Sequence, residues 1–188
     1  MKKLAKVIRI ITVAPILAFT LVNILYFMVP GSFNGILDYL IAIFTLVIMP
    51  VLAYPIQRKF RIIKGDPRTS ERQLAIVFSV IGYSIGIVAA LMLNVPYIEK
   101  LIYSTYLISG VSIAILSAVF KVEASGHMCG VSGPIAILIY LFGIEFLFLL
   151  LFPIAVIWSS LVLKRHTIPQ LLLGASIPVM TFLILLII

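Results

Sequence analysis

The chain has 188 residues, of which 63% are hydrophobic and only 11% are charged, and its formal net charge is +8 at pH 7. Soluble domains contain about 45–50% apolar and about 25% charged residues, so the composition excludes a soluble domain and predicts an integral membrane protein. The single cysteine, Cys129, excludes an internal disulfide and a cysteine-rich metal site. The length fits one membrane domain over residues 1–188.

Apolar runs separated by turn sequences divide the chain into predicted membrane helices. A bilayer core about 30 Å thick requires roughly 17 to 25 apolar residues per helix. The N-terminal run starts with basic residues like a signal peptide, but it is too long and lacks a small-residue cleavage site, so we expect a retained first helix. The predicted spans are residues 6–29, 36–56, 74–95, 99–119, a stretch from 127 to 164 with two interpretations, and 167–188.

The stretch from 127 to 164 decides the topology of the predicted all-α transmembrane bundle. As one tilted helix it crosses once, gives six spans and places His127 and His166 on opposite faces of the membrane. As two short helices that turn between Gly143 and Glu145, it crosses twice and gives seven spans. The second topology leaves both histidines on the same face.

The distribution of basic residues favours the seven-span topology. Cytoplasmic ends of membrane helices collect Lys and Arg. With seven spans, one face carries every Lys and Arg except Lys100, whereas with six spans Lys164 and Arg165 join Lys100 on the other face. We therefore expect about seven spans, with six as the alternative, and a basic end that faces the cytoplasm.

Three polar segments, residues 58–72, 121–127 and 159–170, bring both histidines and most cations to this basic end. Each has a simple structural interpretation: a basic loop among anionic headgroups, close helix packing by small residues, or cationic side chains that extend to water. None of these explains why the only two histidines both fall in these segments. Because ionisable groups at a membrane face are often functional, we predict an anion site here.

Two of the segments resemble motifs of a known membrane enzyme family. The sequence "ASGH" at 124–127 resembles the P-S-G-H signature of the type 2 phosphatidic acid phosphatase superfamily, with Ala124 in place of proline. The sequence "SSLVLKRHTIPQLLLG" at 159–174 resembles its third motif, S-R-x5-H-x3-D, and more closely a variant ending H-T-x2-Q-x3-G that is associated with polyprenyl diphosphate phosphatases. The segment "KGDPRTSER" at 64–72 is loosely similar to the first motif, K-x6-R-P. The resemblance implies a phosphatase-like core over about residues 58–178.

The resemblance also implies a role for each matched residue. His166 corresponds to the nucleophile that attacks phosphorus and forms a phosphohistidine, and His127 corresponds to the general acid that protonates the leaving oxygen. Gln170 stands where most members have an aspartate that orients the nucleophile. The residues implied or expected to bind the substrate phosphate are Lys64, Arg72, Ser125, Gly126 and Arg165.

Two positions depart from the family pattern. Ser160 stands where the third motif has an arginine, whose planar fork grips phosphate. Arg165, Lys164 and Arg68 are the candidates to replace that arginine. Gln170 can accept the Nδ1 hydrogen of a histidine, but a neutral amide does not stabilise an imidazolium as a carboxylate does.

These residues predict a lipid phosphatase, with polyprenyl diphosphate ahead of phosphatidate or phosphatidylglycerol phosphate as substrate. Fixed cations and amide donors supply most of the catalysis of phosphoryl transfer, and imidazole can attack or donate a proton near neutral pH. The scheme requires no metal and no cofactor, because two histidines with loose carboxylates make a poor zinc site.

Two alternatives remain open. A transporter or lipid-binding membrane protein would use the same basic pocket without chemistry, and a helical partner subunit would use neither histidine. The expected partners are the lipid phosphate and membrane lipids, with no nucleic acid, and the oligomeric state is not predicted.

Overall fold

The computed structural model describes residues 1–188, and it is all-helical, with no strands. Residues Ile43–Ile48 form a π-helical turn, and residues Ile144–Leu150 form a 3-10 turn, each within a longer helix. The helices are α1 (Lys2–Ile11), α2 (Ala14–Met28), α3 (Ile36–Phe60), α4 (Pro67–Met92), α5 (Tyr97–Ala118), α6 (Gly126–Phe142), α7 (Ile144–Val162) and α8 (Ile168–Ile187). The predicted all-α class is confirmed.

Five of these helices, α3, α4, α5, α7 and α8, are long and apolar enough to cross a membrane. Helices α1 and α2 meet the same criterion only together, as a pair bent by 43°. Helix α6 is apolar but shorter than the others. The chain is therefore an integral membrane protein with five such helices, or six if the bent pair forms one span.

The bend between α1 and α2 divides the first predicted helix. Pro15 has no N–H to donate, and in a continuous helix its ring would clash with the carbonyl of Ile11. The Thr12 hydroxyl donates a hydrogen bond of 2.7 Å to the Ile8 carbonyl and satisfies one group at the end of α1. The axis of α1 therefore differs from that of α2, and α1 packs against α7 with Ala5 completely buried.

Helix α4 begins at Pro67 rather than near residue 74, where the apolar run starts. The Asp66 carboxylate caps the helix by accepting hydrogen bonds from the Thr69 N–H at 2.9 Å and the Thr69 hydroxyl at 3.0 Å. Proline is well suited to the first helical position, and aspartate is among the best N-caps. The polar first turns of α4 therefore extend beyond the apolar span and carry Arg68 and Arg72.

The chain reverses direction at Gly143, between α6 and α7. Gly143 has a φ of +80°, which glycine adopts at no steric cost, and it ends α6. The start of α6 and the end of α7 both contact α1, because His127 lies 3.0 Å from Thr12 and Ser160 lies 2.9 Å from Arg9. Since Arg9 and Thr12 are one turn apart, the two helix ends lie at the same end of the bundle.

The first turns of α6 and α8 are in direct contact. The Ser125 N–H donates a hydrogen bond of 3.0 Å to the Gln170 carbonyl. A side chain at Gly174 would collide with the Ser125 backbone, and one at Gly130 would collide with Ala14 on α2. Small residues at these crossings let the membrane helices approach closely, and the approach sets the position of His127 relative to α8.

The main hydrophobic core lies at the opposite end of the bundle from the histidines. It joins α2, α3, α4, α5, α6 and α8, and the largest buried side chains include Tyr103 and Phe182. The histidine end has two smaller apolar clusters, one that includes Met128 and Leu171 and one that includes Ala124 and Cys129. The apolar core thus stabilises one end while the other remains open to polar groups.

We expect Gly174→Ala to destabilise the protein, because the added methyl group meets the Ser125 backbone, which cannot move without breaking its contact with Gln170. Overpacking of this kind costs about 1–3 kcal/mol, measurable as a lower free energy of unfolding in detergent micelles. Gly110→Ala is the matched control, because Gly110 also lies inside a helix and its added methyl group would make only an ordinary contact, 3.4 Å from the Tyr83 ring. Equal stabilities of the two variants would contradict the proposed close contact.

Candidate functional site

A cavity of about 500 Å³ occupies the histidine end of the bundle. This volume lies within the range of about 300–1,000 Å³ that is typical of ligand pockets. Both His127 and His166 line it, together with apolar side chains from α2, α3, α5, α6 and α8. The charged residues of its lining are Arg9, Arg68, Arg72, Arg165, Asp66, Glu71 and Glu123.

His166 lies in the loop between α7 and α8, and Gln170 determines which of its ring nitrogens carries hydrogen. The Gln170 Oε1 atom accepts a hydrogen bond of 3.0 Å from the Thr167 N–H and lies 3.2 Å from His166 Nδ1. Because Oε1 is an acceptor, Nδ1 is the protonated nitrogen and the lone pair lies on Nε2. The Nε2 atom is therefore the free, basic atom of this ring.

The surroundings of His166 favour its neutral form. Burial lowers the pKa of His166 most, and the positive charges of Arg72 and Arg9 lower it further. The hydrogen bond to Gln170 and the charge of Glu123 oppose this shift but do not reverse it. At neutral pH the ring is therefore uncharged, which is the form that can act as a nucleophile.

His127 is in the first turn of α6 and carries its hydrogen on the opposite nitrogen. Its Nε2 atom lies 3.0 Å from the Thr12 hydroxyl oxygen. Because the single hydroxyl hydrogen of Thr12 is donated to Ile8, the hydroxyl can only accept from His127, and Nε2 carries hydrogen. The Nε2 atom of His166 therefore has a free lone pair, whereas the Nε2 atom of His127 carries a hydrogen that is donated to Thr12.

Ser125 and Gly126 form the N-terminus of α6. The Ser125 hydroxyl caps the helix by accepting from the Met128 N–H at 3.3 Å, and the side chain is completely buried. Gly126 lines the cavity, and nothing lies within 4 Å of the position that a side chain would occupy. The first N–H groups of a helix have no partner within it and form a natural anion site. The amides of Gly126 and His127 are such donors.

Arg72 connects α4 to the turn that precedes α6. Its guanidinium donates a hydrogen bond of 3.0 Å to the Ala124 carbonyl and lies 3.7 Å from the Glu123 carboxylate. The side chain also lines the cavity. Arg72 therefore supports the turn that carries Ser125 and contributes positive charge to the site.

The structure brings most of the predicted site residues together. His127, His166, Arg72, Gly126 and Arg165 line the cavity directly. Ser125 and Gln170 lie behind the lining and act through hydrogen bonds to neighbouring site residues. Lys64 is exposed in the loop between α3 and α4 and does not line the cavity, whereas Arg68, the second residue of α4, does.

Two residues at the end of α1, Arg9 in the cavity lining and the C-cap Thr12 behind it, are not predicted from the motifs. Arg9 donates a hydrogen bond of 2.9 Å from Nη1 to the hydroxyl of Ser160, which is completely buried. Thr12 contacts His127 as described. Their spacing of three residues places them on one face of the helix. The sequence alone does not reveal this, because basic residues at the start of a membrane protein are expected to set its orientation in the membrane.

The cavity has an excess of unpaired positive charge. The structure contains two ion pairs within 4 Å, Arg58 with Glu71 and Arg72 with Glu123. Arg9, Arg68 and Arg165 therefore line the cavity without a carboxylate in contact. Arg68 and Arg165 are exposed, whereas Arg9 is half-buried, and a cation partly removed from water is unfavourable unless an anion balances it. The site is therefore suited to an anionic ligand.

The chain matches no protein-family model, no curated protein and no solved structure. The structure also has no group of three or more His, Cys, Asp or Glu side chains arranged to hold a metal ion. What the cavity can do chemically therefore depends on its two imidazoles, its guanidinium groups and the amides of α6.

The lowered pKa of His166 predicts a measurable titration. We expect this ring to remain neutral until the pH falls below about 6.5, the ordinary histidine pKa, because burial and Arg72 disfavour its charged form. Gln170→Glu is expected to raise the pKa, since it places a carboxylate beside Nδ1. Nuclear magnetic resonance of labelled histidine checks both values, with His127→Gln used to assign the signals. A wild-type pKa above 6.5, or no rise in the variant, would contradict the described surroundings.

Proposed function

We propose that the protein is a membrane-embedded lipid phosphatase that hydrolyses a phosphate or diphosphate monoester of a long-chain lipid through a phosphohistidine intermediate. The observation that carries the proposal is the pair of imidazoles in one cavity among four guanidinium groups. His166 has a free lone pair on Nε2, and His127 has its Nε2–H bonded to Thr12, which leaves Nδ1 free to accept and transfer a proton. Nucleophile, acid and anion-binding groups are the parts that this reaction requires.

In the proposed first step, His166 Nε2 attacks phosphorus while the bond from phosphorus to the leaving oxygen breaks. With the anionic substrate bound, His127 carries a second proton on Nδ1 and gives that proton to the leaving oxygen, while its Nε2–H stays bonded to Thr12. The dephosphorylated lipid leaves as an alcohol or, from a diphosphate, as a monophosphate. Gln170 accepts the Nδ1 hydrogen of His166 and fixes the orientation of that ring, so that Nε2 faces the phosphorus atom. In the second step, water attacks the phosphohistidine, His127 takes a proton from that water, and phosphate leaves.

Charge stabilisation in this reaction comes from fixed donors around the nonbridging oxygens. Arg72, Arg68 and Arg165 line the cavity, and the free amides at the start of α6 point at the same region by their position. Removing one such donor typically lowers turnover by about 10²–10³-fold. The scheme requires no metal ion or cofactor.

The shape of the cavity supports a lipid substrate. From the charged rim it continues inward between the helices, where Ala18, Leu46, Ile113 and Pro134 are among its lining residues. We propose polyprenyl diphosphate as the first substrate, on the motif resemblance around His166, and phosphatidate or phosphatidylglycerol phosphate as the next. Hydroxyl groups on the inner wall, including that of Tyr106, can donate hydrogen bonds to the ester oxygen atoms of a glycerolipid. This supports phosphatidate and phosphatidylglycerol phosphate as the second class of substrate.

For the topology, we propose seven crossings, with α6 and α7 as a short hairpin within a phosphatase-like core over about residues 58–178. The basic end, which contains the cavity, faces the cytoplasm in this proposal. The support is the excess of Lys and Arg at that end, which is typical of cytoplasmic faces.

A second candidate is a lipid-phosphate transporter or binding protein that uses the same cavity without chemistry. Two observations favour it: Gln170 is neutral where the resembled family has a carboxylate, and Ser160 cannot grip phosphate as arginine does. Radiolabelled substrate separates the candidates, because only a phosphatase forms a phosphohistidine at His166.

The activity itself is testable with protein purified in detergent, polyprenyl diphosphate and a chelator. We expect wild type to release phosphate, His166→Ala to release none above background because the nucleophile is absent, and His127→Gln to be slower by about 10²–10⁴-fold. Lys100→Gln, at the other end of the bundle, is the control with unchanged activity. Equal phosphate release by wild type and His166→Ala would overturn the proposed function.

The orientation is testable by cysteine labelling in intact cells. Arg61→Cys lies on the basic end and Asn34→Cys on the opposite end, and both positions are exposed. The native Cys129 is buried, so its background reaction is low. We expect an impermeant maleimide to label Asn34→Cys in intact cells and Arg61→Cys only after permeabilisation. The reverse pattern would place the cavity on the outer face.

A further inference from the structure

Arg9 reaches the cavity from α1, outside the region that carries the motif resemblance. Helix α1 packs along α7, with Ala5 buried completely at the contact. The Arg9 guanidinium donates from Nη1 to the buried Ser160 hydroxyl and lines the same cavity as both histidines. Its position is therefore fixed from one side by α7, while its other side faces the site.

The charged side chains around Arg9 are cations. No carboxylate lies within 4 Å of Arg9, since the ion pairs of the structure involve other residues. The charged side chains that act most strongly on it are two cations, Arg165 and Arg68. A half-buried guanidinium held among like charges is unfavourable by itself, and a bound phosphate would remove the repulsion.

The hydrogen-bonding capacity of Arg9 points to the same ligand. A guanidinium has five N–H donors in a planar fork, and Ser160 uses one of them. The remaining edge can bind two phosphate oxygens at once, which is the geometry in which arginine binds phosphate best. Ser160 is short enough to leave room for this group, whereas a longer side chain at that position would occupy the same space.

We propose that Arg9 is a phosphate-binding residue of the cavity, supplied by the N-terminal helix, with Ser160 as its positioning residue. The inference rests on the phosphatase function proposed above and adds to it the source of a guanidinium that the third motif lacks. The ligand class is a phosphate or diphosphate group. Thr12, one turn further along α1, contacts His127, so α1 supports both the acid and the phosphate.

The first experiment compares turnover of polyprenyl diphosphate by Arg9→Gln, Arg9→Lys and Lys3→Gln. Lys3 is exposed on the same helix and outside the cavity, so Lys3→Gln is a matched loss of one charge. We expect Arg9→Gln to lower kcat/KM by about 100-fold, Arg9→Lys to have an intermediate loss because the charge stays without the fork, and Lys3→Gln to stay within about twofold. Equal activities of Arg9→Gln and Lys3→Gln would overturn the inference.

The second experiment measures binding without chemistry, by calorimetric titration of pyrophosphate into His166→Ala protein. We expect added Arg9→Gln to weaken the Kd by about tenfold or more, the effect of losing a hydrogen bond to a charged group, with added Lys3→Gln as control. If Arg9 only attached α1 to α7, its loss would lower the melting temperature and leave the Kd of the folded protein unchanged. That result would also overturn the inference.

The two proposals fail in different ways. If wild type releases no phosphate but binds pyrophosphate in an Arg9-dependent manner, the phosphatase function is wrong and Arg9 remains an anion-binding residue of the second candidate function. If wild type releases phosphate and Arg9→Gln changes neither kcat/KM nor the Kd, the phosphatase function stands and the role of Arg9 is wrong. Melting temperatures of all variants show which of them are folded.

Discussion

The hydrogen bond from the Ser125 N–H to the Gln170 carbonyl joins the first turns of α6 and α8, and the geometry of the cavity depends on it. His127 lies two residues after Ser125, and His166 lies four residues before Gln170. The contact is possible only because Gly174 has no side chain that would meet the Ser125 backbone. A single backbone hydrogen bond therefore determines the relative positions of two imidazoles that are far apart in the chain.

A second constraint comes from α1, which contacts both arms of the α6–α7 hairpin. Thr12 accepts from His127 at the start of α6, and Arg9 donates to Ser160 near the end of α7. The bend before Pro15 lets this helix leave the direction of α2 and lie against α7. Three segments distant in sequence thus form one cavity, and none of them forms it alone.

The sequence predicted the all-helical class, the turn near Gly143 and the presence of both histidines at one end, because the length of apolar runs, the position of glycine and the distribution of charge can be read from the sequence directly. It did not predict the bend that divides residues 6–29 into α1 and α2. The early start of α4 was missed because a capped polar turn lies outside the apolar run. Arg9 and Thr12 were missed because their significance lies in neighbours more than a hundred residues away. Lys64 matched a motif only loosely, and spacing alone could not show that it lies outside the cavity.

The neutral side chain at Gln170 is consistent with the rest of this electrostatic environment. A carboxylate there would raise the pKa of His166 and keep more of it protonated, whereas the amide fixes the same tautomer without adding negative charge. The cavity then retains its excess of cations for an anionic substrate. In the proposed reaction, the positive charge that develops on the imidazole is balanced by the phosphate oxygens themselves, which the surrounding guanidinium groups hold. Orientation of the nucleophile and attraction of the substrate are thus supplied by different residues, the first by Gln170 and the second by the arginines.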